Sequence, residues 1–209
     1  MFKKILVLAP HTDDGELGCG GTISKFIEEQ KEVYYAAFSI AEESVPKGFP
    51  NDILKTEVKK ATSVLGIPKS NLIILNFPVR KFQVHRQEIL EELVRISREI
   101  NPDLIFMPSQ QDMHQDHKTI SDEGLRAFKL KTLLGYEEPW NNISFNTTSF
   151  VPLEERHVQK KVEALNCYET QKLRSYLTPE FIRSLAIARG TQIKQKYAES
   201  FEVIRFIIR

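Results

Sequence analysis

Residues 9–21 read Ala-Pro-His-Thr-Asp-Asp-Gly-Glu-Leu-Gly-Cys-Gly-Gly and follow directly on the apolar run Ile5-Leu6-Val7-Leu8. One imidazole, His11, and two carboxylates, Asp13 and Asp14, therefore fall within four residues. An ordinary turn has no use for that set. A divalent cation with a base beside it does, because imidazole and carboxylate are its ligands and a second carboxylate can move protons. Later in the chain a second apolar run, Leu104-Ile105-Phe106-Met107, leads into Pro108-Ser109-Gln110-Gln111-Asp112 and then Met113-His114-Gln115-Asp116-His117. Three of the five histidines, His11, His114 and His117, thus stand near aspartates at the ends of two apolar runs. A lone histidine is usually a surface or structural residue; three placed in this way predict a metal site.

For these groups to meet, both runs must be strands of a parallel sheet that end on one edge. The pattern supports this. Lys3–Ala9, Val33–Ile40, Leu72–Leu75 and Leu104–Met107 read as strands. Between them, Gly20–Gln30 carries Ile23, Phe26 and Ile27 on one helical face, and Asn51–Leu65 stops at Gly66 and Pro68. Arg86–Ile100 places Ile89, Leu90, Leu93, Val94 and Ile96 at helical spacing and ends before Pro102. Asp116–Phe128 reads as a further helix. Strands alternating with helices of this length predict an α/β, Rossmann-like fold: a mostly parallel sheet with helices on both faces and an active site at the carboxyl ends of the strands. Ile143–Val151 reads as another strand, Glu154–Lys172 as a helix and Phe201–Ile208 as a last strand. Residues 1–209 fit a single domain. The loop Ala41–Pro50, with Glu42, Glu43 and Ser44, follows a strand and reads either as a lid or substrate loop at the active edge or as a solvated loop.

Composition narrows the partners. The chain has a net charge of +1, 41% hydrophobic and 27% charged residues. That balance gives no long-range attraction to nucleic acid or an anionic membrane. No apolar stretch approaches the roughly 20 residues that span a bilayer, and Met1-Phe2-Lys3-Lys4-Ile5 has no signal-peptide core, so a cytoplasmic location is the expectation. Two cysteines, Cys19 and Cys167, make no disulfide framework, and Cys19 reads as a small packed residue. The expected partner is a small molecule; a homo-oligomer is allowed.

The two motifs resemble those of the LmbE-like, or PIG-L-type, zinc-dependent de-N-acetylases, which carry a His-Pro-Asp-Asp-Glu segment after the first strand and a His-x-Asp-His segment after a later one. Here these stand as His11-Thr12-Asp13-Asp14-Gly15 and His114-Gln115-Asp116-His117. The resemblance extends to Leu17-Gly18-Cys19-Gly20-Gly21-Thr22, to Lys161, Ala164, Leu165, Tyr168 and Gln171, and to Arg189-Gly190 and Tyr197-Ala198-Glu199-Ser200-Phe201. Thr12 stands where the family has Pro, and Gly15 where it has Glu. The resemblance implies a Zn2+ site formed by His11, Asp14 and His117, with Asp13 as general base toward a metal-activated water that attacks an N-acetyl carbonyl. It also implies that His114, protonated and oriented by Asp116, stabilises the oxyanion. The products are acetate and a free amine, from an N-acetylglucosamine-like sugar or conjugate. Two histidines and a carboxylate also suit iron, cobalt or manganese.

Arg80, in Phe77-Pro78-Val79-Arg80-Lys81 after the third strand, reads either as the candidate substrate contact or as an exposed arginine with no role; Glu42 and Arg189 are weaker rim candidates. Tyr168 and Gln171 read as packing residues, and His85 and His157 as structural. The competing readings are a metal-dependent amidase or esterase on a non-sugar substrate, and a catalytically silent sugar- or nucleotide-binding domain. A two-metal phosphoesterase needs more carboxylates than these motifs supply.

Overall fold

The computed structural model describes residues 2–208. Among the described residues seven strands, β1 (Lys4–Ala9), β2 (Glu32–Ala37), β3 (Leu72–Ile74), β4 (Leu104–Pro108), β5 (Thr132–Tyr136), β6 (Ser149–Leu153) and β7 (Tyr197–Arg205), form one sheet. Their order is β3-β2-β1-β4-β5-β7-β6. All pairings are parallel except those of β7, which runs antiparallel to both β5 and β6. The helices are α1 (Asp14–Glu28), α2 (Ile53–Leu65), α3 (Arg86–Ile100), α4 (Gln115–Ala127), α5 (Glu155–Leu165) and α6 (Pro179–Thr191).

Strand alternation divides the core into two layers. Ile5, Val7 and Ala9 of β1 face one side with Leu17, Ile23, Val58, Val158 and Val162 of α1, α2 and α5. Leu6 and Leu8 face the other with Ile89, Leu93, Ile96 and Ile120 of α3 and α4. The sheet is therefore covered on both faces, which is why its central strands read as continuous apolar runs. From β1 the chain moves outward to β2 and β3; it then returns to β4 on the other side of β1 and moves away to β5. The loops after β1 and β4 diverge at this reversal, and the crevice between them is where open α/β sheets bind ligands. No helix among the described residues is long and apolar enough to cross a membrane.

The structure redraws several element boundaries. Helix α1 starts at Asp14 rather than Gly20, because the small-residue turn is itself helical. Its backbone breaks at Cys19 (φ −147°) and resumes. The buried Glu199 carboxylate caps the second segment, accepting from Gly21 N at 3.0 Å and Thr22 N at 2.6 Å while pairing with Lys161 Nζ at 2.7 Å. Gly18 is glycine because a Cβ there would lie 2.3 Å from the Tyr136 ring. Helix α5 ends at Leu165, short of Lys172. Buried Glu57 of α2 accepts from Thr170 N at 3.1 Å and Thr170 Oγ1 at 2.7 Å and draws the chain into a 3-10 turn.

The strand expected at Ile143–Val151 is Ser149–Leu153, and the last strand begins at Tyr197 rather than Phe201. Sequence reading passed over β5, a five-residue buried strand with no alternation. It also passed over α6, whose buried face is only Ile182, Ala186 and Gly190. The start of α6 is nevertheless signalled by Thr178 as N-cap followed by Pro179.

Removing Glu199 strands a buried ammonium and two helix N–H groups. Glu199→Ala should therefore cost about 3–5 kcal/mol of stability, measured by urea unfolding, whereas a loss below about 1 kcal/mol would show that the pair is dispensable.

Candidate metal centre

The carboxyl end of β1 delivers His11 and, one turn on, Asp14. The loop after β4 and the first turn of α4 deliver His114 and His117. Asp14 Oδ2 lies 3.2 Å from His11 Nδ1 and 3.2 Å from His117 Nε2, and those two nitrogens are 3.3 Å apart. Ligand atoms 2.0–2.1 Å from a tetrahedral zinc sit about 3.3 Å from one another. The three atoms thus form a triangle of that size. The donor set fits a first-row divalent ion.

Each imidazole is held from behind by a carboxylate. His11 Nε2 meets Asp116 Oδ2 at 3.0 Å, and His117 Nδ1 meets Asp112 Oδ2 at 2.8 Å. Such pairs fix ring orientation and raise the basicity of the metal-facing nitrogen. Asp116 is itself anchored by Arg80 N at 2.6 Å and Phe82 N at 3.3 Å. Arg80 adopts φ 65°, a left-handed turn that lets both amides converge on that carboxylate. Sequence reasoning missed Asp112, although it stands two residues before His114.

The structure corrects the pairing expected for Asp116 and His114. The Asp116 carboxylate turns to His11, and only its backbone N–H reaches His114, donating to Nδ1 at 3.2 Å. This leaves Nε2 as the donor nitrogen of a neutral ring. Burial, reinforced by His117 and His11, pushes His114 down to about 4, so the imidazole is uncharged at neutral pH. Burial opposes charge on His11 as well, but Asp14 and Asp116 overcome it and raise that group to about 9. Asp14 is held well below the usual carboxylate range by His117 and His11 despite its burial. Asp13 moves the other way, to about 6, through burial and the charge of Asp14. Its side chain makes no capping hydrogen bond although it occupies the N-cap of α1, so the carboxylate is not used up in holding the helix.

These groups line a cleft of about 340 Å3, within the range of small-molecule sites. Its far wall is Trp140 stacked on Tyr176, with ring centroids 4.0 Å apart and planes 11° from parallel, and Arg174 stands 5.8 Å from the Tyr176 ring. Arg80 lines the cleft, as do Ala41 and Ser44 of the loop after β2. Arg189 instead pairs with Glu137. His157 bonds Glu28 at 2.7 Å and caps α5, a structural role. Cys19 is a buried free thiol. Glu138, also missed by sequence reasoning, follows β5 into the cleft wall. Its Oε2 accepts from Asn141 Nδ2 at 3.1 Å, while its Oε1 is buried with no hydrogen-bond partner among the described residues. Asp14, His117 and Glu138 form a second set of neighbouring ligand atoms beside His11, His114 and His117.

Fold and site define a doubly wound α/β protein whose topological switch point carries a candidate metal centre of two histidines and one aspartate. The profile of the PIG-L family, described as GlcNAc-PI de-N-acetylase, matches residues 6–128, more than half of the chain, and the chain belongs to that family. Diacetylchitobiose deacetylase of Thermococcus kodakarensis is 26% identical, with 98% of this chain and 83% of the relative aligned. The conserved protein TT1542 of Thermus thermophilus superposes with a TM-score of 0.82 at 25% identity, covering 100% of this chain and 97% of that one. The fold also hosts other chemistry: 4-carboxy-2-hydroxymuconate hydratase of Pseudomonas putida superposes with a TM-score of 0.80 at 18% identity, covering 99% and 98%.

Two predictions come from this geometry. Asp112→Asn and Asp116→Asn should each weaken zinc binding about 10- to 100-fold without abolishing it; unchanged affinity in a competition titration would remove both from the support of the ligands. Protons and metal compete for the same nitrogens. Because His11 keeps its proton up to about 9, zinc affinity should climb between neutral pH and about pH 9 with measurable proton release; a plateau from pH 7 upward would contradict this.

Proposed function

We infer that this chain is a zinc-dependent hydrolase that removes the acetyl group from an N-acetylglucosamine-like sugar or sugar conjugate. The observation that carries the reading is the equilateral set of His11 Nδ1, Asp14 Oδ2 and His117 Nε2 with a second carboxylate, Asp13, that makes no capping hydrogen bond next to it in a member of the PIG-L family. The relatives named as deacetylases of N-acetylated sugars support the substrate class.

His11, Asp14 and His117 would hold the ion. When bound, it lowers the pKa of a water from 15.7 toward about 7 and polarises an amide carbonyl. Asp13, near 6, is ionised at neutral pH yet basic enough to take the proton of the attacking water. His114, neutral and carrying its proton on Nε2, donates a hydrogen bond to the oxygen on which negative charge develops. Protonated Asp13 then passes its proton to the departing nitrogen, and acetate and amine separate. Asp116 acts on His11 through its carboxylate and on His114 through its amide. The Trp140–Tyr176 wall offers an aromatic surface to the apolar face of a sugar ring, and Arg80 contacts the polar remainder of the substrate. The whole chain forms one catalytic domain.

Acetate release from free, nucleotide-linked and glycosidic N-acetylglucosamine, with and without chelator, tests this reading. Chelator-sensitive acetate release with about one metal per chain is expected. Asp13→Ala should keep the metal and lose about 10²–10⁴ in kcat, while His117→Ala and Asp14→Ala should lose the metal. Cleavage of simple esters or non-sugar amides in place of these substrates would replace the sugar assignment.

A further inference from the structure

Glu16 is fully buried behind the site and takes no part in the metal cluster or the cleft wall. Its carboxyl meets two phenols, Tyr35 Oη and Tyr168 Oη, the latter at 3.0 Å. The same phenols reach the Thr12 carbonyl, at 2.9 Å from Tyr35 and 2.6 Å from Tyr168, and Tyr35 Oη accepts the Gly15 N–H at 3.1 Å. Tyr35 comes from β2 and Tyr168 from the segment after α5, so two distant parts of the chain close on the backbone just before Asp13 and just after Asp14. Gly15 belongs to the same arrangement: a Cβ there would lie 2.4 Å from the Tyr35 ring, which fills the space a side chain would take.

Asp13 has no capping hydrogen bond to fix its carboxylate, so its aim depends on the backbone that carries it. We propose that Glu16, Tyr35 and Tyr168 form a positioning cluster that sets the direction of the Asp13 carboxylate by clamping the Thr12 carbonyl and the Gly15 amide. Each phenol has one proton to donate, and both lie within hydrogen-bond distance of the Thr12 carbonyl. Deleting one hydroxyl therefore loosens the carbonyl on the Asp13 side of the turn while leaving His11, Asp14 and His117 unaltered in type. The inference rests on Asp13 being the base, as argued above.

The test uses the zinc-loaded protein carrying Tyr168→Phe or Glu16→Gln, each in the native and the Asp13→Asn background. Tyr168→Phe should keep about one metal per chain, hold KM within about twofold and lower kcat about tenfold to a hundredfold. In the Asp13→Asn background it should cost nothing more. Glu16→Gln, which keeps an acceptor oxygen, should lose less than Glu16→Ala. Metal loss in step with activity, or an equal kcat loss in the Asp13→Asn background, overturns the proposal. A crystal structure of the zinc-loaded Tyr168→Phe protein gives a readout independent of turnover. The Asp13 carboxylate should move by more than about 0.5 Å relative to the metal, and an unmoved carboxylate overturns the clamp. A native protein that releases no acetate would overturn the functional reading alone, leaving the coordinates to decide this one.

Discussion

One carboxylate oxygen, Asp14 Oδ2, is held between two imidazole nitrogens at 3.2 Å each, and the functional half of the molecule is arranged to keep it there. Burying such a group is unfavourable unless it is paired and hydrogen-bonded. The pairing reaches outward in layers: Asp112 and Asp116 hold the far nitrogens of the two rings, and backbone amides of residues 80 and 82 hold Asp116. The layers draw on three segments, so the site is assembled only when β1, β4 and the turn after β3 are in register.

The same electrostatics separates the two adjacent carboxylates. Asp14, between imidazoles, stays ionised, while Asp13, buried beside that negative charge, is raised to about 6. One is suited to holding a cation and its neighbour to accepting a proton, without any difference in side-chain chemistry. A fold this widely used does not fix a reaction by itself. The hydratase that shares it makes that plain; the atoms at the switch point and membership of the PIG-L family narrow the chemistry.

Much of this was legible in the sequence. The apolar runs β1 and β4 and the His/Asp sets that follow them place the crevice, because a parallel sheet puts every strand's carboxyl end on one edge. The partner of Asp116 was not legible. Two residues from His114 in sequence, its carboxylate is turned by the first turn of α4 across the crevice to His11, a relation that spacing along one segment does not contain. Glu138 was hidden because β5 was not recognised as a strand, and with it the loop that carries the residue into the cleft. Thr170 left its helix for Glu57, a tertiary contact that outweighs local helical periodicity.

The most direct measurement is anomalous diffraction at the zinc edge from crystals of the metal-loaded protein. A single strong peak per chain is expected about 2.0–2.2 Å from His11 Nδ1, Asp14 Oδ2 and His117 Nε2, with Asp13 off the metal. A peak bound by Asp13, a site that omits any of those three atoms, or no peak after saturation with zinc would contradict this coordination.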